Sequence, residues 1–231
     1  MNDVEPPLSI LYQDAWLVAV NKPAGHLVHP AETPVEGDLV TMKILRDQIG
    51  QRVHPIHRLD RPTTGVLLFG IDKEVAHHLH KALERHEIQK TYWAIVNGTS
   101  PSEKWECREP IQKQDQAPIR DAHTSFRQLM SREIDGLPET PSPSISLIEA
   151  TPHTGRYHQI RRHLLHCNLP IVGDYRYAGI EQSDSLGKHL ATGSRMLLQA
   201  KKLSLIHPAT QEELIIETPT DPCFLKCLPI L

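Results

Sequence analysis

Apolar residues form short runs, or alternate with polar ones, at several points along the chain, and these patterns predict strands. Residues 66–69, Val-Leu-Leu-Phe, form a continuous apolar run of the length typical of a buried strand. Turn-forming residues separate several of the other runs. Strands are expected at residues 10–12, 16–20, 66–69, 90–96, 146–150, 196–200, 203–206 and 213–216.

Helical spacing of apolar residues marks three other segments, residues 39–49, 73–86 and 157–167. In the last of these, Ile160 and Leu164 are four residues apart, as in an amphipathic helix. Because strands and helices alternate irregularly, the order favours an α+β fold with a mixed, mainly antiparallel β-sheet flanked by helices.

Polar and proline-containing stretches between these elements predict loops and a loose N-terminal arm. Residues 99–122 are expected to form a surface excursion, and residues 136–144 a second loop. Residues 1–9 are interpreted as a flexible arm, and residues 10–231 as one folded domain. A chain of 231 residues is long enough for one large domain or two intimate subdomains.

Composition narrows the class of protein. The formal net charge is −3, so the chain lacks the strong positive charge that would by itself indicate a nucleic-acid-binding protein. Any RNA-binding face must therefore come from local clusters of cations. The four cysteines include no C-x-x-C pair, and neither a signal peptide nor a membrane span is apparent, so a cytoplasmic protein with reduced thiols is expected.

Asp60 is the first candidate for chemistry, because it lies between Arg58 and Arg61 just before the apolar run 66–69. A carboxylate beside cations stays ionised, and at the end of a rigid strand it can act as a nucleophile or a base. A structural ion pair between Asp60 and an arginine explains the same residues.

Two further segments carry candidate residues. Tyr92 lies in the expected strand 90–96, where an aromatic residue serves either as core or as a stacking platform. In the expected third helix, Gln159, Arg162, His163 and His166 lie together, opposite the apolar residues. This stripe indicates either a solvated face or a surface that follows RNA phosphates.

Three histidines of the second expected helix, His77, His78 and His80, are candidate metal ligands. His77 and His80 share a helix face, but no carboxylate or cysteine at a suitable position completes the three or four ligands of a zinc site. We therefore interpret both as surface residues and expect no metal.

The stretch His57-Arg58-Leu59-Asp60-Arg61-Pro62-Thr63-Thr64-Gly65 resembles the catalytic loop of the RluA-type pseudouridine synthases. Four other segments resemble that family and occur in the family's order: 21–29 (N-K-P-A-G-H-L-V-H), 90–96 (K-T-Y-W-A-I-V), 154–161 (T-G-R-Y-H-Q-I-R) and 170–174 (P-I-V-G-D). Thr64 stands where the family usually has serine. The resemblance implies the pseudouridine synthase fold with a central cleft.

The resemblance also implies roles for particular residues. Asp60 would drive cleavage of the uridine glycosidic bond, Tyr92 would stack on the target base, and Arg161 would pair with Asp60. Arg58 would fill the gap left by an extruded uridine, because a guanidinium is planar and stacks. The RNA-binding residues would be His57, Arg58, Arg61, Arg156, His158, Gln159 and Arg162.

Residues 46–51 resemble the corresponding segment of family members that modify uridine 65 of transfer RNA. The resemblance therefore implies this uridine as the substrate. A ribosomal RNA uridine and a catalytically inactive RNA-binding protein are the alternatives. No cofactor is expected, because the leaving uracil is also the incoming nucleophile. The expected partner is RNA and not a membrane, and the expected state is a monomer.

Overall fold

The computed structural model describes residues 6–31, 33, 35–134 and 144–228. Its internal contacts divide the chain into two compact units. The first contains the residues up to Lys90 together with Ala200–Pro219, and the second contains Thr91–Gln199 together with the residues from Thr220 onward. The chain passes from one unit to the other three times: within the strands Gln89–Asn97 and Leu198–Ile206, and between Pro219 and Thr220.

The first unit is an antiparallel sheet with two helices. Its elements are β1 (Ser9–Gln13), β2 (Leu17–Lys22), α1 (Thr41–Ile49), β3 (His54–Pro55), β4 (Thr64–Gly70), α2 (Lys73–Glu84), most of β11 (Leu198–Ile206) and β12 (Glu213–Glu217). The strands follow the order β1-β2-β4-β11, with β12 paired to β11 and β3 paired to β4.

Burial explains why β4 reads as a continuous apolar run, since every residue from Thr64 to Gly70 is buried. Helix α2 packs its apolar stripe, which includes Ala76 and Leu79, into the same core as Leu68. Asp72 caps this helix by accepting hydrogen bonds from the N–H groups of its first turn. The result is a rigid strand whose N-terminal end directly follows the Asp60 loop.

The second unit is built on an antiparallel sheet with three long strands of nine or ten residues. Its elements are β5 (Gln89–Asn97), β6 (Lys104–Cys107), β7 (Ile111–Gln112), β8 (Ile119–Arg120), β9 (Thr124–Glu133), β10 (Ser144–Pro152), α3 (Gln159–His166), α4 (Ile180–His189) and α5 (Pro222–Cys227). The strand order is β5-β10-β9-β6, and β7 and β8 form a separate two-stranded hairpin. Side chains from β5, β10, α4 and α5 share one apolar core.

The predicted fold class is confirmed, because the structure is a mainly antiparallel sheet with few helices. The three predicted helices are present as α1, α2 and α3, and Gly50 ends α1 in the left-handed conformation. Within the described ranges, no helix is long and apolar enough to cross a bilayer.

Several boundaries differ from the predictions. The two strands expected at 196–200 and 203–206 are one strand, β11, because the intervening Lys201 is buried, with its ammonium donating to the Thr218 carbonyl at 2.6 Å. The surface excursion 99–122 contains β6, β7 and β8. Strand β9 and helices α4 and α5 were not predicted. The loop expected at 136–144 lies outside the described residues up to position 143.

The expected N-terminal arm contains ordered positions at its end. Residues 1–5 lie outside the described part of the chain. Leu8 is buried, and its backbone N–H and carbonyl both bond to the Gln48 side chain, at 2.7 and 2.9 Å. Ser9 begins β1.

Candidate active site

The Asp60 loop lies between β3 and β4 in the first unit. Asp60 is half-buried and its carbonyl accepts a hydrogen bond from Thr63 N–H at 3.0 Å, which closes a turn just before β4. Arg58 is exposed to solvent, whereas Thr63 and Thr64 are buried. The carboxylate is therefore carried by a turn that is anchored on its C-terminal side by a fully buried strand.

A buried ammonium group fastens this loop to the segment after β2. Lys22 is fully buried, and its Nζ donates to the carbonyls of Pro23, His26 and Arg61 at 2.8, 2.8 and 3.1 Å. Charged groups are rarely buried without partners, so a cation surrounded by three carbonyls has a positional role. That role accounts for the lysine in the family-like segment 21–29.

Gly25 and Arg61 form a second connection between the same two segments. Gly25 N–H donates to the Arg61 carbonyl at 2.8 Å, and Arg61 Nε donates back to the Gly25 carbonyl at 2.9 Å. The Arg61 guanidinium also lies 3.1 Å from a carboxylate oxygen of Asp38. Arg61 was predicted to bind RNA, and the structure shows that it also organises the loop.

His57 lies three residues before Asp60, and its surroundings keep its imidazole neutral. Burial, with a smaller contribution from the positive charge of Lys90, lowers the pKa of His57 to about 3. Its Nε2 accepts a hydrogen bond from Leu68 N–H at 3.2 Å, so the proton of the neutral ring is on Nδ1. Among the described residues, Nδ1 has no hydrogen-bond partner.

Tyr92 lies in β5, at the start of the second unit. It is only 9% exposed, and it is paired with Ala150 of β10 in the antiparallel register. A tyrosine fixed in a central strand has little rotational freedom, and its ring can present a defined surface.

Arg161 lies in α3 and is held by a carboxylate that the sequence patterns did not identify. Its Nε and Nη2 donate to the two oxygens of Asp174 at 2.7 and 2.8 Å, and both side chains are buried. Its guanidinium carbon also lies 5.0 Å from the ring centroid of Tyr177. A bidentate pair of this kind fixes the plane of the guanidinium. Asp174 belongs to the family-like segment 170–174, for which no role was predicted.

His158 caps α3 in an unusual way. It adopts the left-handed conformation with φ of 53°, and its Nδ1 lies 3.0 Å from the hydroxyl of Tyr177. Its ring stacks on Tyr157 with centroids 3.7 Å apart. Because Tyr177 also contacts Arg161, these aromatic rings connect the start of α3 to the buried guanidinium.

The predicted cationic face of α3 reaches solvent at Arg162 and His166 and is wrong at its other two positions. Gln159 and His163 are buried, at 5% and 1% exposure. The Gln159 amide donates to the His123 carbonyl and to Thr124 Oγ1, both at 2.9 Å, while His163 bonds to Thr124 and to the Glu109 carbonyl. These polar side chains satisfy backbone and hydroxyl groups of neighbouring segments, which helical periodicity cannot reveal.

Two arginines, Arg162 in α3 and Arg156 in the loop before it, hold the β7–β8 hairpin region. Arg162 Nη1 donates to the Gln112 carbonyl at 2.6 Å, and Arg156 Nε donates to the Asp121 carbonyl at 2.9 Å. Both residues were predicted to bind RNA, and both remain partly accessible to solvent.

The predicted site residues thus fall into two groups. His57, Arg58, Asp60 and Arg61 share one loop of the first unit, and Tyr92, Arg156, His158, Gln159, Arg161 and Arg162 belong to the second. In the described ranges, no cluster of three or more histidine, cysteine, aspartate or glutamate residues could hold a metal ion. His80 Nε2 instead lies 3.1 Å from the Pro55 carbonyl.

The mainly antiparallel sheet agrees with what similarity to known proteins shows. The family model described as RNA pseudouridylate synthase matches residues 16–166. The chain therefore belongs to the RNA pseudouridylate synthase family, and it is an isomerase of uridine in RNA.

Individual relatives cover nearly the whole chain. tRNA pseudouridine synthase C of Salmonella typhimurium is 41% identical, over 96% of this chain and 88% of its own length. The protein of the same name from Pasteurella multocida is 40% identical, over 96% of both chains. Among solved structures, human RNA Pseudouridylate Synthase Domain Containing 4 superposes with a TM-score of 0.73 at 27% identity, covering 96% of this chain and 92% of that one.

Proposed function

We propose that this chain converts uridine 65 of transfer RNA to pseudouridine. The observation that carries the choice of RNA is the identity of about 40% to proteins named tRNA pseudouridine synthase C, which extends over 96% of the chain. A match of this extent includes the regions outside the Asp60 loop, and contacts from such regions can distinguish one RNA from another.

Asp60 drives the reaction in this proposal. The N1–C1′ bond of the uridine breaks, the uracil rotates, and a C5–C1′ bond forms; the proton on C5 is lost and N1 takes up a proton. An ionised carboxylate can serve this exchange as a nucleophile or as a base. The anchoring of its loop by Lys22 and by the Gly25–Arg61 pair supports this role, because a catalytic group must be held in position.

Tyr92 and Arg161 complete the proposed catalytic set. The Tyr92 ring stacks on the extruded uracil, which stabilises the bound base by about 1–3 kcal/mol. Arg161 is proposed to pair with Asp60 and orient it, while Asp174 fixes the plane of the Arg161 guanidinium.

Arg58 is proposed to replace the extruded uridine in the RNA helix. A base within a duplex is inaccessible, so the enzyme must offset the cost of unstacking it. The exposure of Arg58, one residue before the buried Leu59, suits a side chain that enters RNA. His57, Arg61, Arg156, His158, Gln159 and Arg162 are proposed to support substrate binding, the buried Gln159 by shaping the loop before α3.

The test uses purified protein with unmodified transcripts of transfer RNA and ribosomal RNA. Pseudouridine is mapped by carbodiimide labelling and primer extension, and total turnover is measured as tritium release from C5-labelled uridine. We expect one pseudouridine, at position 65 of transfer RNA. A signal confined to ribosomal RNA would overturn the proposed substrate, and a signal at another transfer RNA position would overturn the proposed uridine.

The Asp60→Asn variant tests the mechanism. We expect turnover to fall by at least about 10³-fold, because a neutral amide supplies no nucleophile or base, while the dissociation constant for RNA stays within a few-fold of that of the unaltered chain. Turnover near the normal rate would exclude Asp60 as the catalytic group. If the unaltered chain binds RNA but forms no pseudouridine in any transcript, the alternative of an inactive RNA-binding protein applies.

A further inference from the structure

A cavity formed entirely by residues of the second unit lies between the β7–β8 hairpin and the loop before α3. Its volume is about 310 Å³, which is at the small end of the range for ligand sites. The lining residues are Ile111, Lys113, Ala117, Pro118, Arg120, Gly155, Arg156 and Tyr157.

The charged residues of this cavity all have the same sign. Lys113 and Arg120 come from the hairpin, and Arg156 comes from the opposite wall. Among the described residues, none of the three forms an ion pair, and no acidic residue lines the cavity. In a chain of net charge −3, three such cations around one hollow create a local site for an anion.

The cavity has fixed walls. Ile111 is buried, and the Gln112 side chain donates to the Ala117 carbonyl at 2.9 Å across the hairpin. On the opposite side, Arg162 Nη1 and Arg156 Nε bond to backbone carbonyls at either end of the hairpin region, at 2.6 and 2.9 Å. Cations that are placed by a bonded framework lose less conformational freedom when a ligand binds.

We propose that this cavity binds backbone phosphates of the substrate RNA at nucleotides other than the one that is isomerised. Lys113 and Arg120 are the contacts that this adds to the site described above, and Arg156 joins them. The apolar wall formed by Ala117 and Pro118 suits the sugar that lies between successive phosphates. The inference rests on the proposed RNA substrate, but it concerns affinity and not the bond-changing step.

The expected effect follows from counterion release. Each phosphate contact contributes about 0.7–0.9 to the slope of log K against log salt concentration. In a Lys113→Gln/Arg120→Gln double variant, the slope should become less steep by about 1.4–1.8. At saturating RNA, the single-turnover rate of pseudouridine formation should be unchanged, because the substitutions leave the catalytic loop intact.

A matched control is a Lys43→Gln/Lys188→Gln double variant, which removes the same charge from two exposed lysines of α1 and α4. Binding is measured by fluorescence anisotropy with labelled transfer RNA transcript at several potassium chloride concentrations from about 50 to about 200 mM, the range in which phosphate contacts weaken strongly. Ethylation interference then identifies the phosphates involved. Phosphates whose ethylation weakens binding to the unaltered chain should lose that effect in the Lys113→Gln/Arg120→Gln variant.

The outcomes separate this inference from the proposed function. If the unaltered chain modifies transfer RNA but both double variants show the same salt slope and the same interference pattern, the cavity does not bind RNA phosphate. A reduced single-turnover rate at saturating RNA with an unchanged salt slope would also overturn the inference. If the unaltered chain forms no pseudouridine, the proposed function fails, while the binding measurements still decide whether the cavity contacts RNA.

Discussion

At the scale of single residues, several positions in this chain admit no alternative because of what surrounds them. Gly65, which follows the Asp60 loop, is the clearest example. Its φ of 107° is a conformation that residues with a side chain rarely adopt, and a Cβ atom there would lie 2.2 Å from the Ala200 carbonyl oxygen. The glycine that ends the family-like loop is thus required by the close approach of β4 and β11.

We therefore expect Gly65→Ala to destabilise the protein by several kcal/mol, since both the backbone conformation and the contact with Ala200 are incompatible with a methyl group (strain of this kind costs about 1–3 kcal/mol for the dihedral alone). The measurement is the thermal unfolding midpoint of the purified variant. Gly155→Ala is the control, because nothing lies within 4 Å of a Cβ atom at that position. Equal midpoints for the two variants would contradict the steric argument.

Asp174 holds Arg161 in a bidentate pair, so in the proposed mechanism it is a positioning residue that acts through Arg161. Asp174→Asn removes the buried carboxylate that holds the Arg161 guanidinium in a bidentate pair, and breaking a buried pair costs about 3–5 kcal/mol. We expect a lower unfolding midpoint and a lower turnover rate at saturating RNA.

A double-mutant cycle separates the two effects. In an Arg161→Met background, Asp174→Asn should reduce turnover by no more than about twofold further, since residues that act as a unit are not additive. A full additional loss of activity in that background would show that Asp174 acts independently of Arg161.

At the scale of elements, the sequence predicts those segments whose polarity pattern matches their burial. Helix α2 has a regular apolar stripe and an aspartate cap, and β4 is a continuous apolar run, so both were predicted. Helix α4 was not, because its buried positions include Ser183 and Gly187 while Ile180 at its first position is 69% exposed. In α3 the bounds were nearly correct, but buried polar residues made the predicted face partly wrong.

The candidate site shows the same division. Asp60, Tyr92 and Arg161 were predicted because they lie in segments that resemble a family. Lys22 and Asp174 lie in such segments too, yet their roles depend on hydrogen bonds over long sequence separations, such as that from Lys22 Nζ to the Arg61 carbonyl. Pairings of this kind are set by tertiary structure, and no local pattern encodes them.

Lys22 provides a test at this scale, because one ammonium group connects two segments. Lys22→Met keeps most of the side-chain volume but removes the ammonium donor from three carbonyls. The Arg61 carbonyl keeps Gly25 N–H as a donor, and each buried carbonyl that stays unsatisfied costs about 1–3 kcal/mol. We expect a lower unfolding midpoint and faster hydrogen exchange in residues 57–63. Lys43→Met, at an exposed position of α1, is the control and should change neither. Exchange rates in the loop that match those of the control would argue against the anchoring role.

At the scale of the whole molecule, an acidic chain acts on a polyanion, so the cations that bind RNA must be placed locally. The arginines differ widely in exposure: Arg58 is open to solvent, whereas Arg161 is 6% exposed and paired. A net charge of −3 therefore does not oppose RNA binding, because the potential at a surface depends on the nearest charges.

Global stability should also depend on pH through His57. Its pKa is about 3 in the folded chain and about 6.5 when unfolded, so between these values the unfolded chain binds a proton that the folded chain does not. The free energy of unfolding should therefore fall as the pH falls from 6.5 toward 3, by at most about 1.4 kcal/mol per pH unit from this group. Protonation of Nε2 would also remove the acceptor for Leu68 N–H.

The measurement is the midpoint of urea unfolding at about pH 7.5, 6 and 5, which lie on both sides of the pKa of an unperturbed histidine, about 6.5. His57→Gln removes the titrating ring, so the stability advantage of the unaltered chain over this variant should shrink on acidification. His78→Gln, at an exposed position of α2, should follow the unaltered chain at every pH. If the difference between the unaltered chain and His57→Gln is the same at pH 7.5 and pH 5, the buried ring is not the group that couples folding to protons.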